Sequence, residues 1–132
     1  MLKIGFLASH NGSNVQAIVE ACNAGALKAE PCVVVSNNSR SGVLKRARVE
    51  SIAAYHLSER THPDALDGAL LATMRRHGVE VVCLAGYMKP LGVQMLAAYG
   101  GRIVNVHPSL LPKYGGRGMY GLRVHEAVLA AG

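Results

Sequence analysis

Runs of apolar residues, each about the length of a strand, alternate along this chain with segments in which apolar positions recur every three or four residues. The runs are residues 2–8 (LKIGFLA), 31–36 (PCVVVS), 52–57 (IAAYHL), 79–87 (VEVVCLAGY) and 102–107 (RIVNVH). The second, fourth and fifth are rich in Val and Ile, as strands covered on both faces require, and the third is the weakest. Between them, Val15, Ile18, Val19 and Cys22 share one face of a helix that Gly25 stops. Val43, Leu44 and Ala47 mark a shorter helix. Thr61-x-x-Asp64, with Pro63 in the first turn, opens a middle helix that carries Leu66, Leu70 and Met74 as far as Gly78. Val93, Leu96 and Tyr99 give another, and Val124, Ala127, Val128 and Ala131 a last one. Strands and helices in this alternation predict an α/β protein: a doubly wound parallel sheet with flanking helices.

Composition narrows the choice of partners. The chain has 132 residues, half of them hydrophobic, enough for the core of one domain over 1–132 and too few for two. No internal repeat or linker divides it. A net charge of +6 favours anionic ligands, yet no run of Lys or Arg forms a nucleic-acid arm, so no nucleic acid is expected. Cys22, Cys32 and Cys83 include no C-x-x-C pair and read as free thiols of a reduced, cytoplasmic protein. No segment approaches membrane-spanning length, the short N-terminal apolar run is not a signal peptide, and no membrane partner is expected. The six histidines show no metal-ligand spacing, and no metal is expected.

In an open parallel sheet, ligands bind beyond the carboxyl ends of the strands, where strand order reverses. Three loops in such positions hold most of the unusual residues: 9–14 (SHNGSN), 86–92 (GYMKPLG) and 105–121 (NVHPSLLPKYGGRGMYG). In the first, the backbone N–H groups of Gly12, Ser13 and Asn14 lie at a helix N-terminus, where they either bind a phosphate or form an ordinary capped turn. The sequence has neither G-x-G-x-x-G nor G-x-x-x-x-G-K-[ST], which argues against dinucleotide and nucleoside-triphosphate sites. Asn105 and His107 lie two apart at a strand end, so their side chains share a face. An amide donor beside a titrating imidazole suits attack on a carbonyl, the amide stabilising an oxyanion and the imidazolium giving a proton. A strand-end histidine satisfied by backbone is the plainer alternative. In the second loop, Met88 and Leu91 suit an apolar slot and Lys89 a carboxylate tail, although a loop of this composition also occurs without a ligand.

The stretches IGFLASHNGSNVQAIVEAC, VVCLAGYMKPLG and GRIVNVHPSLLPKYGGRGMYGLRVHEAVLAAG together resemble the phosphoribosylglycinamide formyltransferases, a branch of the folate-dependent formyltransferases. The NVHPSLLPKY block is specific to the folate-dependent enzymes and NGSN to the glycinamide ribonucleotide branch. The resemblance implies a Rossmann-like sheet of the formyltransferase type, truncated at its C-terminal side. It implies transfer of a formyl group from 10-formyltetrahydrofolate to the primary amine of glycinamide ribonucleotide, in purine biosynthesis. By motif match, Gly12, Ser13 and Asn14 would hold the phosphate; His107 would be the proton donor, and Asn105 would stabilise the oxyanion. Met88, Lys89, Pro90 and Leu91, with Asn105, would line the folate site. A cis peptide at Leu111–Pro112 is implied as well.

The chain departs from the family pattern in three places. Lys89 stands where arginine is common, and His10 where glycine is. The catalytic aspartate that raises the histidine pKa in the family follows the helix that here stops at Gly132, so no residue of this chain takes its role. The alternatives are another formyltetrahydrofolate-using enzyme, either methionyl-tRNA formyltransferase or the deformylase, and a non-catalytic ribonucleotide-binding fragment. Monomer and homodimer are both open.

Overall fold

The computed structural model describes residues 1–106. Nine elements follow one another: β1 (Leu2–Ala8), α1 (Ser13–Asn23), β2 (Ala29–Ser36), α2 (Gly42–Val49), β3 (Ala53–His56), α3 (Leu66–Arg76), β4 (Val81–Ala85), α4 (Val93–Tyr99) and β5 (Ile103–Val106). The strands form one sheet in the order β3-β2-β1-β4-β5, and every pairing is parallel. This is the doubly wound sheet that the alternation predicts.

Two cores sandwich the sheet. Because successive strand residues face opposite ways, Ile4, Phe6 and Ala8 of β1 pack with Val15, Ile18 and Val19 of α1 and Val43, Leu44 and Ala47 of α2. On the other face Leu7, Val33, Val35 and Val82 pack with Leu66, Leu70 and Met74 of α3 and with Met95 and Tyr99 of α4. The central strand β1 is fully buried at Ile4, Phe6, Leu7 and Ala8, which explains its unbroken apolar run. Gly5 interrupts that run for a steric reason: a Cβ there would come within 2.5 Å of Met74 Sδ, so α3 lies directly on the β1 backbone.

Three elements differ from the expected pattern at an end by two residues or more, and one differs in its buried face. β2 begins at Ala29, two residues early, while β4 is trimmed to Val81–Ala85. The middle helix begins at Leu66, well past Thr61. Asp64 adopts φ +57, a left-handed conformation that a helix cannot contain, and the Thr61 hydroxyl is turned back onto the Ser58 backbone. In α4 the buried residues are Met95 and Tyr99, whereas Val93 and Leu96 are exposed. Tyr99 decides that orientation, because its hydroxyl donates to Val79 O at 2.9 Å within the core. The predicted helix over Val124–Ala131, His107 and the Leu111–Pro112 peptide lie outside the described residues. No described helix is long and apolar enough to cross a membrane.

Candidate functional site

With β1 central, the chain leaves it towards β2 on one side and returns through α3 to β4 on the other, so strand order reverses between β1 and β4. Peptides leaving the two strands diverge there and open a crevice at their carboxyl ends. The loops after β1 and β4 flank it, and those after β2 and β3 extend its rim.

The turn after β1 is fixed from several directions. Gly12 holds φ +79 and ψ +27 as the residue before α1, and a Cβ on it would come within 2.4 Å of Val43 Cγ2. Both the left-handed conformation and the close approach of α2 require glycine. The Asn11 carbonyl accepts from Arg46 Nε at 2.7 Å, and the His10 carbonyl from the Val43 N–H at 3.1 Å. Ser13 differs from expectation: its N–H donates to Asn11 Oδ1 at 3.0 Å and is not free. Asn14 and Val15 follow in the first turn, where backbone N–H groups have no carbonyl four residues back to bond within the helix. No acidic side chain of α1 itself occupies that turn, so none of its own residues neutralises the positive end of the helix.

The loop after β4 is anchored at both ends. The Met88 N–H donates to Ser9 Oγ at 2.9 Å, and beyond Gly92 the Gln94 and Met95 N–H groups donate to the two Asp67 carboxylate oxygens at 2.7 and 3.2 Å. Between these anchors the loop divides two clefts, and Lys89 and Pro90 line both. One, of about 430 Å³, is walled by Leu84, Leu91, Leu96 and Ile103, with Asn105 beside them. Asn105 pairs in register with Leu84 across β4 and β5 and is exposed at the sheet edge. The other, of about 560 Å³, carries more polar groups and is lined by Asn37, Asn38 and Ser39 after β2 and by Ser58, Glu59 and Arg60 after β3, with His56 and Leu66. An apolar slot with one amide handle has the chemistry to accept a flat ring, and the adjoining cleft offers the cations Lys89 and Arg60 beside Glu59.

Lys89, Pro90, Leu91 and Asn105 therefore come together around the smaller cleft. The Met88 side chain does not join them: it is 68% exposed and lines neither cleft. Among the described residues Met88 contributes through its backbone N–H. His107 lies outside the described residues, but Asn105 reaches the rim through the last strand before it. The contributions of Ser9, Asn37, Arg60 and Asp67 were not marked by motif. Asn37-Asn38-Ser39 and Ser58-Glu59-Arg60 are polar clusters directly after strands, and the strand-end rule applied to β2 and β3 would have found them.

Among the described residues no group of three or more His, Cys, Asp or Glu side chains could hold a metal ion. The three cysteines are free, and burial pushes the Cys83 thiol far above its ordinary value of 9.0. Tyr87, in the loop after β4, has a buried hydroxyl without a hydrogen-bond partner among the described residues; burial, then Glu59, raise its pKa.

Comparison with known proteins matches this arrangement to one family. The family model described as formyl transferase covers residues 2–132. The phosphoribosylglycinamide formyltransferase of Escherichia coli (strain K12) is 38% identical over 99% of this chain, which spans 60% of that protein. The chloroplastic phosphoribosylglycinamide formyltransferase of Arabidopsis thaliana is 37% identical over 98% of the chain, which spans 46% of it. In structure, glycinamide ribonucleotide transformylase 1 from Symbiobacterium toebii superposes with a TM-score of 0.78 at 40% identity, over 86% of this chain and 55% of the other.

Proposed function

The chain belongs to the formyl transferase family, and from that membership we propose that it serves the transfer of a formyl group from 10-formyltetrahydrofolate to the amine of glycinamide ribonucleotide. The observation that carries this reading is the shared rim. A helix N-terminus suited to phosphate and a cleft suited to a ring with an anionic tail meet at the β1/β4 divide and are joined by the Ser9–Met88 hydrogen bond.

In this reading the turn Gly12–Asn14 receives the ribonucleotide phosphate through the first N–H groups of α1, Asn14 foremost, since Ser13 N–H is committed to Asn11. Ser13 is left with its hydroxyl for that contact. The folate ring occupies the slot of Leu84, Leu91 and Ile103, and its glutamate carboxylates meet Lys89 and Arg60. At the carbonyl, a new C–N bond to the primary amine forms and the bond to the folate nitrogen breaks. The Asn105 side-chain amide donates to the oxygen while it carries negative charge. His107 supplies a proton to the departing nitrogen, and the proton shed by the attacking amine balances it. Preorganised donors of this kind account for about 3–4 kcal/mol of a barrier when one is removed. The setting proposed is the cytoplasm, with purine biosynthesis as the pathway.

The experiment offers three acceptors, glycinamide ribonucleotide, initiator methionyl-tRNA and water, to the product of the complete reading frame and follows consumption of 10-formyltetrahydrofolate. Consumption confined to glycinamide ribonucleotide is expected, with kcat lowered about 100-fold or more in Asn105→Ala. Consumption with tRNA or with water alone would replace this reading by the corresponding one.

A further inference from the structure

We infer that Ser9 is a positioning residue, whose hydroxyl holds the folate-lining loop 86–92 in place against the phosphate turn 9–14. Ser9 is 4% exposed, directly after the central strand. Its Oγ donates to Asn37 Oδ1 at 2.6 Å and accepts the Met88 N–H at 2.9 Å. With a partner on each side, the hydroxyl has a fixed orientation. One side chain thereby ties together the segments that leave β1, β2 and β4. Lining neither cleft, Ser9 acts only through what it holds.

The leverage lies in where the bond falls. Met88 immediately precedes Lys89, Pro90 and Leu91, whose side chains shape both clefts. Beyond them the loop is held by Asp67 at Gln94 and Met95. Of these two anchors, Ser9 is the one continuous with the phosphate turn, so among the described residues it sets the loop relative to the ribonucleotide end of the rim. Asn37, which holds the other side of the hydroxyl, lines the larger cleft itself. The identity of the ligands rests on the function proposed above; the pinning of Met88 does not.

The test compares the native chain with Ser9→Ala, Ser9→Thr and Asn37→Ala by amide hydrogen exchange and by titration with two probes, 5-formyltetrahydrofolate and ribose 5-phosphate. In Ser9→Ala, exchange at Met88 is expected to rise about tenfold, with Ile18 and Val34 in the core unchanged. Affinity for 5-formyltetrahydrofolate falls about three- to tenfold, and that for ribose 5-phosphate by less than about twofold. Ser9→Thr, which keeps the hydroxyl, restores both, and Asn37→Ala gives a smaller change of the same kind. Unchanged Met88 exchange in Ser9→Ala overturns the inference. So does a parallel loss at Met88, at the core amides and for both probes, which is the mark of general destabilisation. Should the native chain bind neither probe, the proposed function fails, and Met88 exchange still decides the role of Ser9.

Discussion

Single residues control this rim mostly by what they leave room for. At Gly12 a methyl group would meet Val43 and the backbone would be strained at φ +79, so Gly12→Ala is expected to cost about 2–4 kcal/mol in denaturant unfolding. The same change moves the start of α1 and should weaken binding of ribose 5-phosphate. Tyr87 is the opposite case. Its buried hydroxyl has no partner among the described residues, so Tyr87→Phe removes an unmet polar group and is expected to be neutral or to stabilise by up to about 1–2 kcal/mol. A rise or no change in Tm supports this, and a clear fall shows that the hydroxyl has a partner. At this scale the sequence was informative where backbone geometry demands one residue type, as in NGSN. It was silent about Ser9 and Asp67, whose importance lies in partners 79 and 27 residues away.

At the scale of elements, local pattern located all nine described elements and misjudged the ends and faces that tertiary contacts settle. The middle helix shows why. Thr61 and Asp64 have the residue types of a helix start, but the Ser58 turn claims the Thr61 hydroxyl and Asp64 takes a positive φ, so the helix opens only at Leu66. For α4 the pattern marks Tyr99 correctly but sets Val93 and Leu96 beside it, because these look as apolar as Met95. Burial of Tyr99 against Val79 turns Met95 inward and leaves Val93 and Leu96 exposed. The start of α4 has no side-chain cap of its own and depends on the Asp67 carboxylate of α3. Asp67→Ala should therefore cost about 1–2 kcal/mol and speed amide exchange at Gln94 and Met95, leaving α1 unaffected. Equal protection of these amides in the variant and the native chain would show that α4 starts without the clamp.

The whole molecule carries a pH signature set by burial. Cys83, Tyr87 and Tyr99 all have pKa values raised above their ordinary 9.0 and 10.0, chiefly because burial penalises the ionised form. The folded state keeps protons that the unfolded chain releases, so this contribution is complete below about pH 9 and is lost as pH rises through the folded-state values. Tm should thus drop between pH 9 and 11, and Cys83→Ala should make the drop shallower. Scanning calorimetry across that range measures both. Fold class was legible because five strands alternate with helices, and the loops after β1, β4 and β5 stood out because strand-end positions attract function. What the sequence could not convey is that loops from β1, β2, β3 and β4 share one rim, since only the sheet order brings Asn37, Arg60 and Lys89 to the same cleft.

Whether phosphate and folate bind side by side along this rim is decided by following backbone amide resonances of the chain during titration with glycinamide ribonucleotide and then with 5-formyltetrahydrofolate. The first ligand is expected to shift Gly12, Ser13, Asn14 and Val15, and the second Lys89, Leu91 and Asn105. Shifts confined to the exposed basic face of α2, around Lys45 and Arg48, or none at saturating ligand, would contradict binding along the rim.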